Sequence, residues 1–588
     1  MRDMFVGVAA YARRYRLIVI ILFAGLCTES LYDVAVRYSL KFVIDEAVVN
    51  GDLGALVIIL SILGVGAILF NIIVISCDYI WAKIGGRIIN DIRVDMFDHL
   101  QHLPVGYHKR QQSGDLTARF NADVGQIEQG MVLAFPMAVM GVVEITATLA
   151  IMASMHVLLF VIALGGIVIS LLVPRVISGR ALVASFKLRS EEGRMVGYLS
   201  ENLSSQSVVK AYGLERHLSN DFRRRLDELL KVLARSNFLN YLTSRLPSLT
   251  FLLLQLVVLG VGGWLAINGQ ITVGDLVAYQ ALLIGLNTAI FNLTWMIPSF
   301  IDAAAGWQRV REILDEPLRI VDKPNARPLP PVSGSIEFDN VGFVYPNSEL
   351  PSISGVSLNI KAGEYVVFVG RSGAGKSSIM NLLLRFYEVT EGRVVVDGFD
   401  VRDVTLASLR NQIGLVSQDV TLFDASVRDN IRFGALDASD EDIVAAAKAA
   451  EIHELIASLP DGYATMAGTA GSRFSGGERQ RISLARALVR KPAVLVLDEF
   501  SSALDPTTET EILKTIGRLK GTCTILSVTH RLQMAEGADR VVVMRGGKVV
   551  EVGTHDELLA KRSSEYGRLW KRAEKEDRPA AEKPSGGE

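Results

Sequence analysis

Long apolar stretches recur six times in the first half of the chain, near residues 17–45, 54–82, 129–153, 157–178, 248–268 and 273–299. A membrane-spanning helix needs about 20 predominantly apolar residues, so the pattern predicts six spans. Residues 46–54, 154–156 and 266–272 hold no Lys or Arg, whereas 87–119 and 180–245 are rich in both. Six spans with the basic segments and both chain ends inside satisfy the positive-inside rule. Within 180–230 apolar residues return every three or four positions between charges. That spacing predicts helices that run on past the membrane into the cytosol. Residues 1–16 alternate apolar and basic positions, which suits either a helix lying on the membrane surface or a plain basic flank.

The pattern changes after residue 314. Residues 315–334 hold five of the chain's 17 prolines. Proline lacks an amide donor and fixes its backbone angle, so an extended linker is expected. Beyond it, short β-rich runs at 365–369, 393–396, 413–416, 494–497, 524–528 and 540–544 alternate with helical ones. This is the rhythm of an α/β nucleotide-binding domain. Residues 574–588 are charged, with Pro and Gly, and are expected to be disordered. The expected fold class is an all-α six-helix transmembrane domain over 1–314, a linker over 315–334, and an α/β ATPase domain over 335–573.

Totals agree with this division. A chain of 588 residues is too long for one compact core. An apolar fraction of 50% is what a membrane half and a soluble half average to. The net charge of -2 offers no global field for nucleic acid. Cys27, Cys77 and Cys523 are far apart, without metal-ligand spacing or a disulfide framework. The first apolar run has no small-residue cleavage site, so no cleavable signal peptide is expected.

The strongest chemical signal is Gly370, Arg371, Ser372, Gly373, Ala374, Gly375, Lys376 and Ser377, followed by Ser378. This is GxxxxGK[ST], between a β-rich run and a helical one. Its glycines let backbone amides converge on phosphate, and the helix N-terminus favours anions. Lys376 should reach the β- and γ-phosphates of ATP, and Ser377 should bind Mg²⁺. A second apolar run ends in Asp498 and Glu499. Asp498 is placed to hold Mg²⁺, and Glu499 to polarise the attacking water. Third, Ser475, Gly476, Gly477 and Glu478 precede an amphipathic helix. They form an anion site with no ligand of its own, which makes sense if it closes over nucleotide held by a partner.

This last segment resembles the LSGGQ signature of ABC ATPases, with Phe474 for Leu and Glu478 for Gln. The chain as a whole is similar to ABC exporter half-transporters of type IV, in which a membrane domain is fused to an ATPase domain. The resemblance implies that Tyr345 stacks on adenine and that Gln418 touches Mg²⁺ and senses the γ-phosphate. It implies that residues 502–505, ending in Asp505, cross a dimer interface. His530 becomes the switch histidine, catalytic beside Glu499. Residues 96–124 and 208–215 look like the two intracellular loops whose short coupling helices press on the ATPase domain. The segment before the signature departs from the family: Thr469 and Ala470 stand near its usual Glu and Arg.

The function implied is ATP hydrolysis driving export or flipping of a hydrophobic, amphipathic or peptide-like cargo. Two chains, a homodimer or a heterodimer, would alternate access across the cell membrane, with both termini cytoplasmic. An exporter-fold importer and an ATP-gated channel or regulatory subunit are the alternatives; a nucleic-acid partner is not expected. Glu29, Asp33 and Arg37 lie in the first span at helical spacing, followed by Lys41 and Asp45. They read either as an acidic-leaning cargo cavity or as an internally neutralised row in which Asp33 pairs with Arg37.

Overall fold

The computed structural model describes residues 1–111, 113–173, 175–346, 348–500, 506–529 and 531–577. The chain divides into two compact units: Met1–Leu100 with Gly114–Asp315, and Gln101–Ser113 with Glu316–Glu588.

The first unit is helical. Its elements are α1 (Arg2–Ala12), α2 (Arg16–Phe42) and α3 (Leu53–His102), while α4 (Val105–Arg110) belongs to the second unit. There follow α5 (Ser113–Ala118), α6 (Val124–Glu128), α7 (Phe135–Met155), α8 (Val157–Leu172) and α9 (Arg175–Ser204). The unit ends with α10 (Gln206–Ala211), α11 (Glu215–Ile267) and α12 (Val273–Leu314). Among the described residues, five helical stretches are long and apolar enough to cross a membrane, and Val157–Ser170 is a shorter apolar one. Each overlaps one of the six apolar stretches of the sequence. At the fourth, α8 covers Val157–Leu172 and α9 begins at Arg175, with Pro174 between them outside the described residues.

The 53 residues of α11 extend about 80 Å, well beyond the roughly 30 Å of hydrocarbon in a bilayer. Its length therefore exceeds what a single crossing needs. Exposed Val57, Leu60, Ile68 and Ile72 on α3 make sense with lipid as solvent. The packed centre of the unit is formed by α2, α7 and α12. Gly285 lets α12 approach Arg37 of α2: a Cβ there would lie 2.3 Å from Nη1. Small residues bring helices together in this way where no hydrophobic force separates protein from lipid. Residues 2–12 are helical and bury Met4 and Val8 against the unit, with Phe5 5.7 Å from Phe135.

The second unit holds two sheets. β1 (Ile336–Phe343), β2 (Ile353–Ile360), β4 (Glu391–Val396) and β5 (Phe399–Asp400) form an antiparallel sheet in the order β2-β1-β4-β5. The other combines β3 (Tyr365–Val369), β6 (Ile413–Val416), β7 (Val494–Asp498), β8 (Thr524–Val528), β9 (Arg540–Arg545) and β10 (Lys548–Gly553). Its order is β10-β9-β3-β8-β7-β6, parallel except for β10. All residues of β3 and β8 are buried, as expected of parallel strands covered on both faces. Helices α13 (Lys376–Leu383), α14 (Leu406–Asn411), α15 (Val427–Arg432), α16 (Asp440–Ala449), α17 (His453–Ser458) and α18 (Gly476–Leu488) lie between strands. α19 (Pro506–Leu519), α20 (His555–Ala560) and α21 (Glu565–Asp577) complete the set.

Two boundaries shift. Residues 574–577 of the expected tail are the last turn of α21, which is anchored by fully buried Tyr566; 578–588 lie outside the described residues. Gln101–Ser113 joins the second unit although it lies within the expected 1–314 domain. The cause is local: Gly106 of α4 lies against Tyr387, close enough that a Cβ would come within 2.9 Å of the ring.

Candidate active site

β3 delivers the chain to the phosphate loop at its carboxyl end, where open α/β sheets bind ligands. Gly370, Gly373 and Gly375 have φ of +151°, +77° and +100°, a region that L side chains rarely enter. Space is closed as well: a Cβ on Gly370 would lie 2.3 Å from the Met544 carbonyl oxygen. Gly375 then caps α13, whose first amides have no helical partner and face the loop. The buried Lys376 donates Nζ hydrogen bonds to the carbonyls of Gly370 (3.0 Å) and Arg371 (3.2 Å). Burial lowers its pKa, with Glu499 and Asp498 opposing.

The other groups converge from β7 and from the turn after β6. Ser377 Oγ donates to Asp498 Oδ1 at 3.0 Å, and Gln418 Nε2 donates to Glu499 Oε2 at 2.7 Å. Glu499 has φ of +48°, and its amide donates to the Val528 carbonyl at 2.9 Å. A non-glycine residue held there costs of order 1–3 kcal/mol, a strain typical of functional positions. Burial pushes the Asp498 carboxyl above its usual range, and the neighbouring Glu499 adds to this; the Ser377 hydrogen bond and Lys376 act against it. Two half-buried acids with one hydroxyl and one amide form a hard-oxygen set. That fits Mg²⁺, which favours carboxylates and oxygen donors.

Tyr345 is half-buried in an aromatic cluster, with ring centroids 4.7 Å from Phe343 and 5.0 Å from Tyr387. Its hydroxyl lies 3.1 Å from Ser378 Oγ, which ties the aromatic to the phosphate loop. A cavity of about 510 Å³ adjoins it, lined by Tyr107, Arg319 and Tyr387 among others. Tyr387, Phe343 and Gly106 were not singled out from sequence, because no motif marks them.

Ser475 caps α18 in a capping box. Its amide donates to Glu478 Oε2 at 2.8 Å, and the Glu478 amide donates to Ser475 Oγ at 3.4 Å. Glu478 at the last signature position thus has a local structural partner, as the third helical residue of such a box requires. Gly476 and Gly477 open the helix. Before it, Thr469–Gly471 form a tight turn with Ala470 at φ +53°. Asp505, the loop 502–505 and His530 lie outside the described residues.

The expected pair within the first span is not formed. Arg37 bonds Glu144 of α7, while Asp33 is exposed. Neighbours four apart on a helix point the same way, but a carboxylate on a packed facing helix reaches the guanidinium more directly. Lys41 pairs with Asp275 at 2.8 Å. Asp45 accepts from Thr272 Oγ1 at 2.5 Å and from the Gly274 amide at 2.9 Å.

A glycine-rich loop between a parallel strand and a helix, faced by Asp498 and Glu499, defines a P-loop ATPase, here fused to a helical unit with membrane-length stretches. Residues 17–290 match the ABC transporter transmembrane region, and 353–502 match the ABC transporter family. The chain is 34% identical to an ATP-dependent lipid A-core flippase of Syntrophus aciditrophicus, over 93% of this chain and 91% of that one. It is 32% identical to the putative multidrug export ATP-binding/permease protein YgaD of Bacillus subtilis, over 88% and 91%. A bacterial Atm1-family ABC exporter solved with ATP bound superposes with a TM-score of 0.80 at 28% identity, covering 96% of this chain and 99% of that one. The protein belongs to the ABC transporter family, in its exporter branch with membrane and ATPase parts on one chain. It is a multi-pass membrane protein that binds and hydrolyses ATP to drive transport.

Proposed function

We propose that two identical chains sandwich two ATP molecules and export or flip a hydrophobic or amphipathic cargo by alternating access. The observation that carries this is the fusion of a P-loop site, with Asp498 and Glu499 facing the loop, to helices far longer than a bilayer is thick. The relatives' names, a lipid A-core flippase and a multidrug exporter, support cargo of this character. Backbone amides of 370–375 and Lys376 would hold the phosphates, and Tyr345 would stack on adenine. Ser377, Gln418 and Asp498 would hold Mg²⁺, which supplies charge neutralisation when bound. Glu499 accepts the proton of the water that attacks the γ-phosphorus as the bond to ADP breaks, with His530 supporting that water. Ser475–Glu478 and Asp505 of each chain close over nucleotide held by the other. Closure and release then bias the long helices between two states. Both termini and the basic segments face the cytosol of a cell-membrane protein.

Mixed chains test the sandwich. One copy carries Lys376→Ala and the other Ser475→Arg. Co-assembled, they should regain one composite site and up to half the parent turnover, although each variant alone is inactive. No recovery would place each ATP within a single chain. Vesicles would then have to show ATP-dependent uphill movement of cargo; a passive ion current would favour a channel.

The Asp498 shift adds a pH expectation. Its pKa is raised, so on acidification it takes up a proton before an ordinary Asp does. Mg²⁺-dependent ATP binding should weaken at a pH where exposed carboxylates are still ionised. Titrating Mg²⁺ against a fluorescent ATP analogue across pH checks this, and Asp498→Asn should abolish that acid limb.

A further inference from the structure

Helices α9 and α11 pair antiparallel below their membrane spans. Ala181 and Ser236 are buried at the seam, where Ser185 Oγ lies 3.4 Å from Ser236 Oγ and accepts from Asn240 Nδ2. Beside this seam runs a groove of about 1040 Å³. Four cations line it, Arg180 and Lys187 from α9 and Lys231 and Arg235 from α11. Its apolar lining includes exposed Val183 and Phe238. Among the described residues no carboxylate lines it. Among the described residues none of the four cations has an ion pair or hydrogen bond. Such cations normally find a counter-charge within the protein or face one outside it.

The same face of α11 continues upward. Residues eleven apart on a helix complete three turns and share a face, so Phe238 aligns with Leu249. Arg245, Leu249, Leu252 and Leu256 are all exposed on this side. The stripe changes from leucines, through Arg245, to the cationic groove. A span of about 20 residues counted from His156 ends near residue 176, so the groove begins about one turn below the apolar layer. Lys and Arg can lay their stems along apolar surface and extend their heads toward an interface.

We propose that this groove binds the phosphate-bearing headgroup of an anionic lipid whose acyl chains lie on Leu249, Leu252 and Leu256. Basic pockets between membrane helices on the cytoplasmic side are suited to such headgroups. The inference rests on the inward orientation of 180–245 proposed above. It assigns recognition of anionic amphiphiles to the arm formed by α9 and α11, apart from Glu29, Asp33 and Arg37.

The test uses the full chain in mixed micelles of phosphatidylglycerol and phosphatidylcholine, with lipid retention counted by native mass spectrometry. The parent should retain phosphatidylglycerol in preference to phosphatidylcholine. The variant Arg180→Gln/Lys187→Gln/Lys231→Gln/Arg235→Gln should lose that preference by about tenfold or more at low salt. Exchanging Arg for Lys and Lys for Arg at the same four positions should preserve it, which separates loss of charge from misfolding. Equal retention by parent and Gln variant overturns the proposal. So does displacement of the lipid by inorganic phosphate alone, which would make this a free-anion site. A Gln variant that loses its dimer instead of its lipid would assign the groove to a second copy. Arg180→Cys, made in a chain whose Cys27, Cys77 and Cys523 are replaced by Ser and labelled only from outside the cell, would refute the orientation, a failure distinct from that of the groove.

Discussion

Replacing Glu499 with glutamine is expected to lower ATP turnover by about a hundredfold to ten-thousandfold while leaving ATP binding within a few-fold of the parent. The range is that of a positioned general base. The side chain keeps its shape but can no longer take a proton. Glutamine also preserves a partner for Gln418, whose amide donates to Glu499 Oε2 at 2.7 Å, so the local geometry should survive. The backbone at φ +48° also keeps its amide's hydrogen bond to the Val528 carbonyl, which the substitution does not touch. Steady-state phosphate release and nucleotide-binding titration together check the expectation. Unchanged turnover would remove Glu499 from the chemistry. Loss of binding together with turnover would instead make it a structural residue of the loop.

The largest stability effect should come from the membrane half. Glu144→Leu leaves Arg37 charged between α2, α7 and α12 without its partner. Breaking one side of a fully buried pair costs about 3–5 kcal/mol; this pair is half-buried, so a loss of about 3 kcal/mol at most is expected, and ionisable groups within membranes depend on such partners. The double variant Arg37→Met/Glu144→Leu should recover most of the loss, because no uncompensated charge remains. Thermal unfolding in detergent, followed by near-ultraviolet circular dichroism, measures both. Should Glu144→Leu prove as stable as the parent, the pair would be incidental. Cargo range measured on the stable double variant then tells whether Arg37 contacts what is transported.

Legibility in the sequence followed the distance between interacting residues. The phosphate loop is eight consecutive residues, and every part of its mechanism is local: glycine angles, helix start, lysine, serine. The strand ending in Asp498 was legible for the same reason, as an unbroken apolar run. Strands β1 and β2 were not marked beforehand. Their pairing shifts register between Phe338 and Val341 and again between Val341 and Phe343, so the two-residue alternation breaks within each short run. The partner of Arg37 was equally hidden. Asp33 is the sequence neighbour, but Glu144 lies 107 positions away and is brought close by glycine-assisted packing. Glu478 shows a third limit. The resemblance to the signature places it at the nucleotide, while its hydrogen bonds are those of a helix cap.

The polypeptide passes between its two units at residues 100–101, 113–114 and 315–316. One consequence concerns dissection. A recombinant piece starting at Glu316 would omit the thirteen-residue insert that covers Tyr387. Its aromatic floor, Phe343 with Tyr345 and Tyr387, would be laid bare to water and invite self-association. Stitching Gln101–Ser113 back through a flexible tether would be the rational remedy for biochemists who want the soluble engine by itself.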